Sequence, residues 1–158
     1  MRAADERFWS KVVKGPRPGD CWFWTGAISD DGYGRFTLNR DGRTWAMGAH
    51  RFAYHLATGI WLDGMSQLMH RCDEPICVHA AADDSSHLAP GTHRENMLDR
   101  LKKMRHSNGS GLRYWGVGRA AQADRSRRLR DEILANGWND ERIAAIRFNH
   151  DPEAPTLF

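Results

Sequence analysis

The chain has 158 residues, of which 41% are hydrophobic and 27% charged, and its formal net charge is +3. This length allows one domain with a modest core and excludes two full domains. No segment approaches the roughly 18 apolar residues of a membrane span, and no basic and then apolar leader opens the chain, so we expect a soluble protein of the cytoplasm.

The N-terminal part of the sequence predicts a helix followed by a small sheet. Residues 5–14 have the apolar spacing of a short amphipathic helix. Three later segments have the aromatic or alternating pattern of strands, and Asp-Gly turn signals separate them. They predict one twisted antiparallel sheet, with strands at 21–25, 33–39 and 44–46.

A second helix and a short strand are predicted in the middle of the chain. Apolar residues at helical spacing predict a helix over 48–58, and Gly59 is a suitable end for it. The short apolar run 67–70 predicts a strand that ends in a histidine. Residues 72–90 are rich in Asp, Ser, Pro and small residues, which is typical of an irregular loop.

The next helix has a recognisable start. Thr92 and Glu95 have the spacing of a capping box, which predicts that the helix begins directly after Thr92. Its predicted buried stripe is apolar, and the opposite face is basic. The stripe consists of Met97, Leu98, Leu101 and Met104.

The C-terminal part predicts a linker and two helices. Residues 107–111 have the Ser, Asn and Gly composition of a flexible linker. Residues 124–135 predict a basic amphipathic helix, and Asn139 or Asp140 can cap a last short helix that extends to Arg147.

Charge is distributed unevenly along the chain. Residues 101–130 hold nine Lys or Arg and one acid, whereas residues 61–100 hold three basic and seven acidic side chains. This distribution favours a protein that binds a polyanion on one surface and cations on another, and a solvated helix face is the alternative. The candidate DNA-contacting residues are Lys102, Lys103, Arg125, Arg127 and Arg128.

The cysteines point to a metal site rather than to disulfides. Their number is odd, so a disulfide framework would leave one thiol over. Cys72 and Cys77 lie close together, Cys21 lies far upstream, and His79 and His87 follow. Three thiolates and one imidazole would complete a tetrahedral zinc site, and three unrelated buried cysteines are the alternative.

Two further residues add hydrolytic chemistry to this region. His70 ends a predicted strand two residues before Cys72, so a zinc ion would clamp the loop that follows the imidazole. Asn96 lies in the first turn of the next helix, where its carbonyl oxygen can bind a hard cation such as Mg²⁺. A histidine beside a metal-bound phosphate is what phosphodiester hydrolysis requires.

The order of these residues resembles the core of HNH (ββα-metal) endonucleases, in particular phage-type HNH proteins and His-Cys box homing endonucleases. Upstream patterns of such proteins, Cys-Trp-x-Trp-Thr-Gly, Gly-Tyr-Gly and Ala-His-Arg-x-Ala-Tyr, stand at 21–26, 32–34 and 49–54. The resemblance covers roughly residues 20–105. The residues that meet the central pattern are His70, Cys72, Cys77, His87 and Asn96.

The resemblance implies an α+β fold with an N-terminal twisted antiparallel sheet, a zinc-stapled ββα-metal core and a C-terminal helical extension. It implies that His70 is the general base and that Asn96 is the protein ligand of a catalytic Mg²⁺ or Mn²⁺ ion. Arg51 is a candidate contact for the scissile phosphate, with a surface helix residue as the alternative. The implied structural zinc ligands are Cys21, Cys72, Cys77 and His87, with His79 as the alternative to His87.

The sequence departs from the family pattern in three respects, of which one is the nine residues between Cys77 and His87, a longer spacing than is typical. Many HNH enzymes have an acidic metal ligand directly before the base, and this chain has Met69 there. The ion would then have few protein ligands, or would recruit Asp73, His93 or Asp99. The middle position, usually an asparagine that braces the loop, is His79, whose imidazole can donate a similar hydrogen bond.

We therefore expect a metal-dependent DNA endonuclease of the restriction or the homing and nicking type. Residues 1–106 would form the nuclease domain, and residues 107–158 a linker and a basic helical extension that grips double-stranded DNA or forms a homodimer. A non-catalytic zinc DNA-binding module on the same scaffold is the alternative. Residues 154–158 are similar to peptides that bind bacterial sliding clamps, although packing of this tail on the domain is the reading we prefer.

Overall fold

The computed structural model of the chain describes residues 2–40, 42–63, 66–102 and 118–148. These residues form five helices and three two-stranded antiparallel sheets, which confirms the expected mixed α+β class. In chain order the elements are α1 (Arg2–Trp9), β1 (Val12–Lys14), β2 (Trp22–Trp24), β3 (Arg35–Arg40), β4 (Arg43–Gly48), α2 (Ala49–Thr58), β5 (Gln67–His70), β6 (Leu88–Gly91), α3 (His93–Lys102), α4 (Arg119–Asn136) and α5 (Asp140–Arg147).

The first predicted helix is wrong over its second half. The helix ends at Trp9, and residues 12–14 form β1, which pairs with β2 in the register Val12 opposite Trp24. Two consecutive valines fit a pleated strand better than a helix, and the aromatic strand β2 gives them a partner. Tertiary pairing therefore overrides the helical spacing here.

The single predicted N-terminal sheet is also wrong, because its strands divide between two sheets. β3 and β4 form a hairpin at the predicted turn, where Gly42 has a φ of 70°. β2 pairs with β1 instead, and it meets Cys77 through one isolated bridge from Phe23. β2 thus connects the N-terminal part of the chain to the loop that carries the predicted zinc ligands.

An aromatic cluster forms the centre of the core. The Phe8 ring lies 5.1 Å from Trp24, 5.3 Å from Phe36 and 5.1 Å from Phe52, measured between ring centroids. Gly34 is required beside this cluster, because a Cβ atom there would lie 2.5 Å from Cδ1 of Trp24. The C-terminal helices add apolar side chains to the same core, namely Leu129, Ile133 and Ile143.

The boundaries of α2 and α3 agree with their sequence signals. Gly59 follows α2 with a φ of 75° and donates its N–H to a carbonyl of the last turn, as predicted. The capping box is confirmed, because the Thr92 N–H lies 2.6 Å from Glu95 Oε2 and the Glu95 N–H lies 3.2 Å from Thr92 Oγ1. Asn139 caps α5 through its side chain, again as predicted.

The predicted buried stripe of α3 is wrong within the described residues. Met97, Leu98 and Leu101 are 42%, 46% and 50% exposed, and Met104 lies outside the described residues. α3 packs on β5, and the half-buried positions of the helix include Asn96 and Asp99. The helix therefore packs polar rather than apolar side chains toward β5. None of the described helices is both long and apolar enough to cross a membrane.

Candidate metal centre and catalytic histidine

Three cysteines and one histidine form a compact cluster. The ligand atoms of Cys21, Cys72, Cys77 and His87 all lie within 4.8 Å of one another. The Nδ1 atom of His87 is 3.6 Å from Cys21 Sγ and 3.5 Å from Cys77 Sγ. This Cys3His cluster can hold a metal ion, and three thiols with one imidazole suit zinc.

Two strand pairings bring these distant residues together. The β5–β6 register places Leu88 opposite His70, and the Arg71 N–H donates to the carbonyl of His87 at 2.8 Å. On the other side, backbone bonds join β2 to the residues around Cys77, since the Val78 N–H donates to Trp22 O at 2.7 Å. Cys21 directly precedes β2, so this pairing brings the Cys21 thiol close to Cys77.

His79 braces this cluster from one side. Its Nδ1 atom donates to the carbonyl of Asp20 at 2.7 Å, and its ring stacks on Trp22 with a centroid distance of 4.3 Å. The backbone N–H of His79 points to Cys77 Sγ at 3.5 Å. The ring also packs against His87, with centroids 4.3 Å apart. The geometry therefore favours His87 over His79 as the fourth ligand.

The three thiols contact one another, and these contacts shift their pKa values in different directions. Hydrogen bonds from the other two thiols lower the pKa of Cys72. The hydrogen bond with Cys72 raises the pKa of Cys21, and burial is the main cause that raises the pKa of Cys77. A bound cation would displace the protons that remain on the thiols.

His70 is attached to the same loop as two of the ligands. Its ring is buried, and its Nε2 atom lies 3.0 Å from the carbonyl oxygen of Cys77. A carbonyl oxygen only accepts hydrogen bonds, so Nε2 carries the proton and a neutral imidazole has its lone pair at Nδ1. The rings of Tyr33 and His50 pack beside it, at centroid distances of 5.6 Å and 5.1 Å.

His50 adds a second imidazole beside His70. Burial is the main cause that lowers the pKa of His50 well below its usual value, and the charges of His70, Arg51 and Arg35 act in the same direction. His50 is therefore neutral at physiological pH. Its position at the start of α2 brings the Ala-His-Arg pattern close to the end of β5.

Asn96 lies on the helix that packs against the strand of His70. Its Nδ2 atom is 3.5 Å from Gln67 Oε1, and Gln67 begins the strand that His70 ends. Within the part of the chain that the structure describes, the Cys3His cluster is the one group of three or more potential metal-binding Cys, His, Asp or Glu side chains. The Mg²⁺ site at Asn96 stays a prediction.

Arg51 has a structural set of partners. Its Nη1 donates to the carbonyl of Ser66 at 2.9 Å, and its Nη2 donates to Leu62 O at 3.0 Å and to Asp63 O. The guanidinium thus holds the segment between α2 and β5. Its predicted contact with a scissile phosphate has no support in this geometry.

Arg125, which is predicted to contact DNA, is buried in an ion pair instead. Its side chain is 6% exposed, and its Nη1 atom lies 3.3 Å from Oε2 of Glu74, whose side chain is 0% exposed. Burial raises the pKa of Glu74 to about 7, although the charges of Arg125 and Arg147 act in the opposite direction. Sequence reasoning missed Glu74 and Arg147. The position of an acid between two predicted ligands was a signal for Glu74, whereas no local pattern marks Arg147.

The other predicted DNA contacts lie nearer the surface. Lys102 and Arg128 are exposed, and Arg127 is half-buried with its Nη2 atom 3.5 Å from Asp30 Oδ1. Lys103 lies outside the described residues. Lys102 and Arg128 thus remain available for a polyanion.

Comparisons with known proteins give two phage relatives. Protein 2.8 of Escherichia phage T7 is 32% identical over 89 residues, which are 56% of this chain and 55% of that protein. Protein 7.7 of the same phage is 34% identical over 93 residues, 59% of this chain and 64% of that protein. The match thus spans between half and two thirds of these curated relatives. No family model and no solved structure matches the chain.

Proposed function

We propose that the chain is a metal-dependent DNA endonuclease with a structural zinc ion at the Cys3His cluster. The observation that carries the proposal is the placement of His70. Its Nε2–H group is bonded to the carbonyl of Cys77, a residue that also supplies a thiol to the cluster. A metal ion held by that thiol would fix the loop and, through it, the imidazole.

The chain's own residues supply a base and a rigid support for it. Because Nε2 holds the proton, Nδ1 of His70 can take a proton from an attacking water molecule. Asn96 would contribute an amide oxygen to a Mg²⁺ or Mn²⁺ ion, on the helix that packs against β5. When bound, such an ion supplies charge neutralisation at the phosphate and at the departing 3′ oxygen.

The proposed substrate is double-stranded DNA, gripped by the exposed basic residues Lys102 and Arg128 together with Lys103. One site of this kind cuts one strand, so a double-strand break would need a homodimer or sequential nicks. The proposed setting is the cytoplasm of a bacterial or phage-infected cell, with a restriction or a homing and nicking role. The two phage relatives support that setting.

A plasmid-nicking assay tests the proposal. Zinc-loaded protein should convert supercoiled plasmid to the nicked or linear form with Mg²⁺, and chelation of the Mg²⁺ should stop the reaction. His70→Ala should abolish cleavage while zinc content and folding are retained, and His150→Ala serves as the matched histidine control. Cleavage by His70→Ala at the wild-type rate would overturn the proposed mechanism.

The second candidate is a zinc-dependent DNA-binding module without catalysis. It is favoured by Met69 at the position of an acidic ligand, and by the absence of an acidic cluster near Asn96 in the described part of the chain. Wild-type protein that binds duplex DNA and contains zinc, yet cuts nothing with Mg²⁺ or Mn²⁺, would establish this alternative.

A further inference from the structure

A buried ion cluster joins the C-terminal helices to the metal loop, which we define as residues 72–77. Glu74, inside this loop, is fully buried, and its Oε2 atom lies 3.3 Å from Arg125 Nη1 and 3.4 Å from Arg147 Nε. Arg125 lies in the middle of α4, and Arg147 ends α5. Two cations from one helix pair therefore converge on a single carboxylate of the loop.

The same helix pair also contacts the loop backbone next to a ligand. Nη2 of Arg147 donates to the carbonyl oxygen of Cys72 at 3.2 Å. The carbonyl of Arg147 in turn accepts from Arg125 Nη1 at 3.4 Å, so the two arginines are connected to each other. At the far end of the loop, the N–H of Cys77 donates to the carbonyl of Glu74 at 3.0 Å. The helix pair thus contacts Cys72 directly, and it is linked to Cys77 through Glu74.

The loop has a conformation that needs such support. Asp73 has a φ of 58°, and it is the one residue other than glycine in the described chain with a positive φ. An L-residue reaches this left-handed region only at a conformational cost, so the surrounding contacts must hold it there. Next to Asp73, the two guanidinium groups are the partners that offset the cost of burying the Glu74 carboxyl group.

We propose that Glu74, Arg125 and Arg147 are positioning residues of the metal centre. They fix the metal loop on the C-terminal helix pair, so that metal binding and the docking of α4 and α5 are coupled. The inference rests on the metal-binding part of the proposed function and is independent of nuclease activity. Thermodynamic linkage makes the coupling reciprocal, so a variant that loosens the docking weakens metal binding, and bound metal strengthens the docking.

The test uses the full chain and compares two variants of the same helix pair. Arg147→Met removes the contacts with Glu74 and Cys72 O, whereas Arg142→Met, in the same helix α5, removes only a surface contact with Glu132 of α4. Zinc affinity is measured by competition with a chromogenic chelator under conditions where both proteins are folded. We expect Arg147→Met to weaken zinc binding by about tenfold to a hundredfold, the range typical of residues that orient metal ligands.

Arg142→Met should keep its zinc affinity within about threefold of the wild type, because it changes an exposed side chain that does not contact the metal loop. The visible spectrum of the cobalt-loaded protein gives a second readout, because thiolate–cobalt bands change when the ligand geometry changes. Arg147→Lys, which keeps the charge and can replace one of the two contacts, should lie between Arg147→Met and the wild type.

Hydrogen exchange of the wild-type protein covers the case in which Arg147→Met does not fold. Zinc should slow amide exchange in α4 and α5, and unchanged exchange there would overturn the coupling. Equal zinc affinity in Arg147→Met and the wild type would overturn it as well, while the proposed nuclease function would stand. A wild-type protein that binds neither zinc nor cobalt would overturn the metal centre itself, and the coupling with it.

Discussion

Replacing Arg125 by methionine distinguishes two roles for this residue, a partner in a buried ion pair and a contact with DNA. The guanidinium is almost fully buried and lies 3.3 Å from the carboxylate of Glu74, so its removal leaves that buried carboxylate with one cationic partner, Arg147. Removal of one partner of a buried pair costs about 3–5 kcal/mol, and the remaining arginine places the expected loss near the lower end, about 3 kcal/mol. At about 2–4 °C per kcal/mol for a chain of this size, the melting temperature should fall by about 6–12 °C.

Arg128→Met is the matched control, because Arg128 lies on the same helix and is exposed. Its unfolding free energy should stay within about 0.5 kcal/mol of the wild type, as for most surface substitutions. Denaturant unfolding measures the stability, and the salt dependence of duplex DNA binding measures the phosphate contacts. Equal stabilities of the two variants, with weaker DNA binding for Arg125→Met, would refute the buried-pair interpretation and restore Arg125 as a DNA contact.

Three further predictions follow from the metal centre and the core. Zinc binding at neutral pH should release protons, because thiols lose their protons when they bind a metal ion, and zinc affinity should therefore rise with pH. Calorimetry in two buffers of different ionisation enthalpy counts these protons, and a count of zero would contradict the binding of zinc by the thiols. His87→Phe should lose stoichiometric zinc while His79→Phe retains it, as metal analysis will show; the reverse outcome would make His79 the ligand. Gly34→Ala should lower the unfolding free energy by about 2 kcal/mol, because the new methyl group overlaps the buried Trp24 ring, and an unchanged denaturation midpoint would contradict this packing.

Local signals in the sequence predicted the elements that local interactions stabilise. The capping box at Thr92 needs two side chains three residues apart, and Gly59 needs only its own freedom to adopt a positive φ. The strand that ends at His70 was likewise readable, because its short apolar run lies between polar loops. The grouping of the cysteines with His87 was predicted by family resemblance and is reproduced by the geometry.

Long-range partners account for what the sequence did not reveal. Arg125 has the sequence pattern of a basic helix face, yet its partner Glu74 is 51 positions away and no spacing rule connects them. The valines of β1 were assigned to a helix because their pairing with β2 is invisible in a local window. The predicted apolar stripe of α3 was wrong for a related reason, since the helix packs on β5 with polar positions such as Asn96.

The central claim is that His70, held by the carbonyl of Cys77, is the base of a DNA-cleaving site. Its most direct test is the single-turnover rate of duplex cleavage by zinc-loaded wild type and zinc-loaded His70→Ala at saturating Mg²⁺. The proposed mechanism predicts a loss of about 10²–10⁴-fold, the usual contribution of a general base, with unchanged zinc content. A zinc-loaded His70→Ala protein that cleaves at the wild-type rate would contradict it.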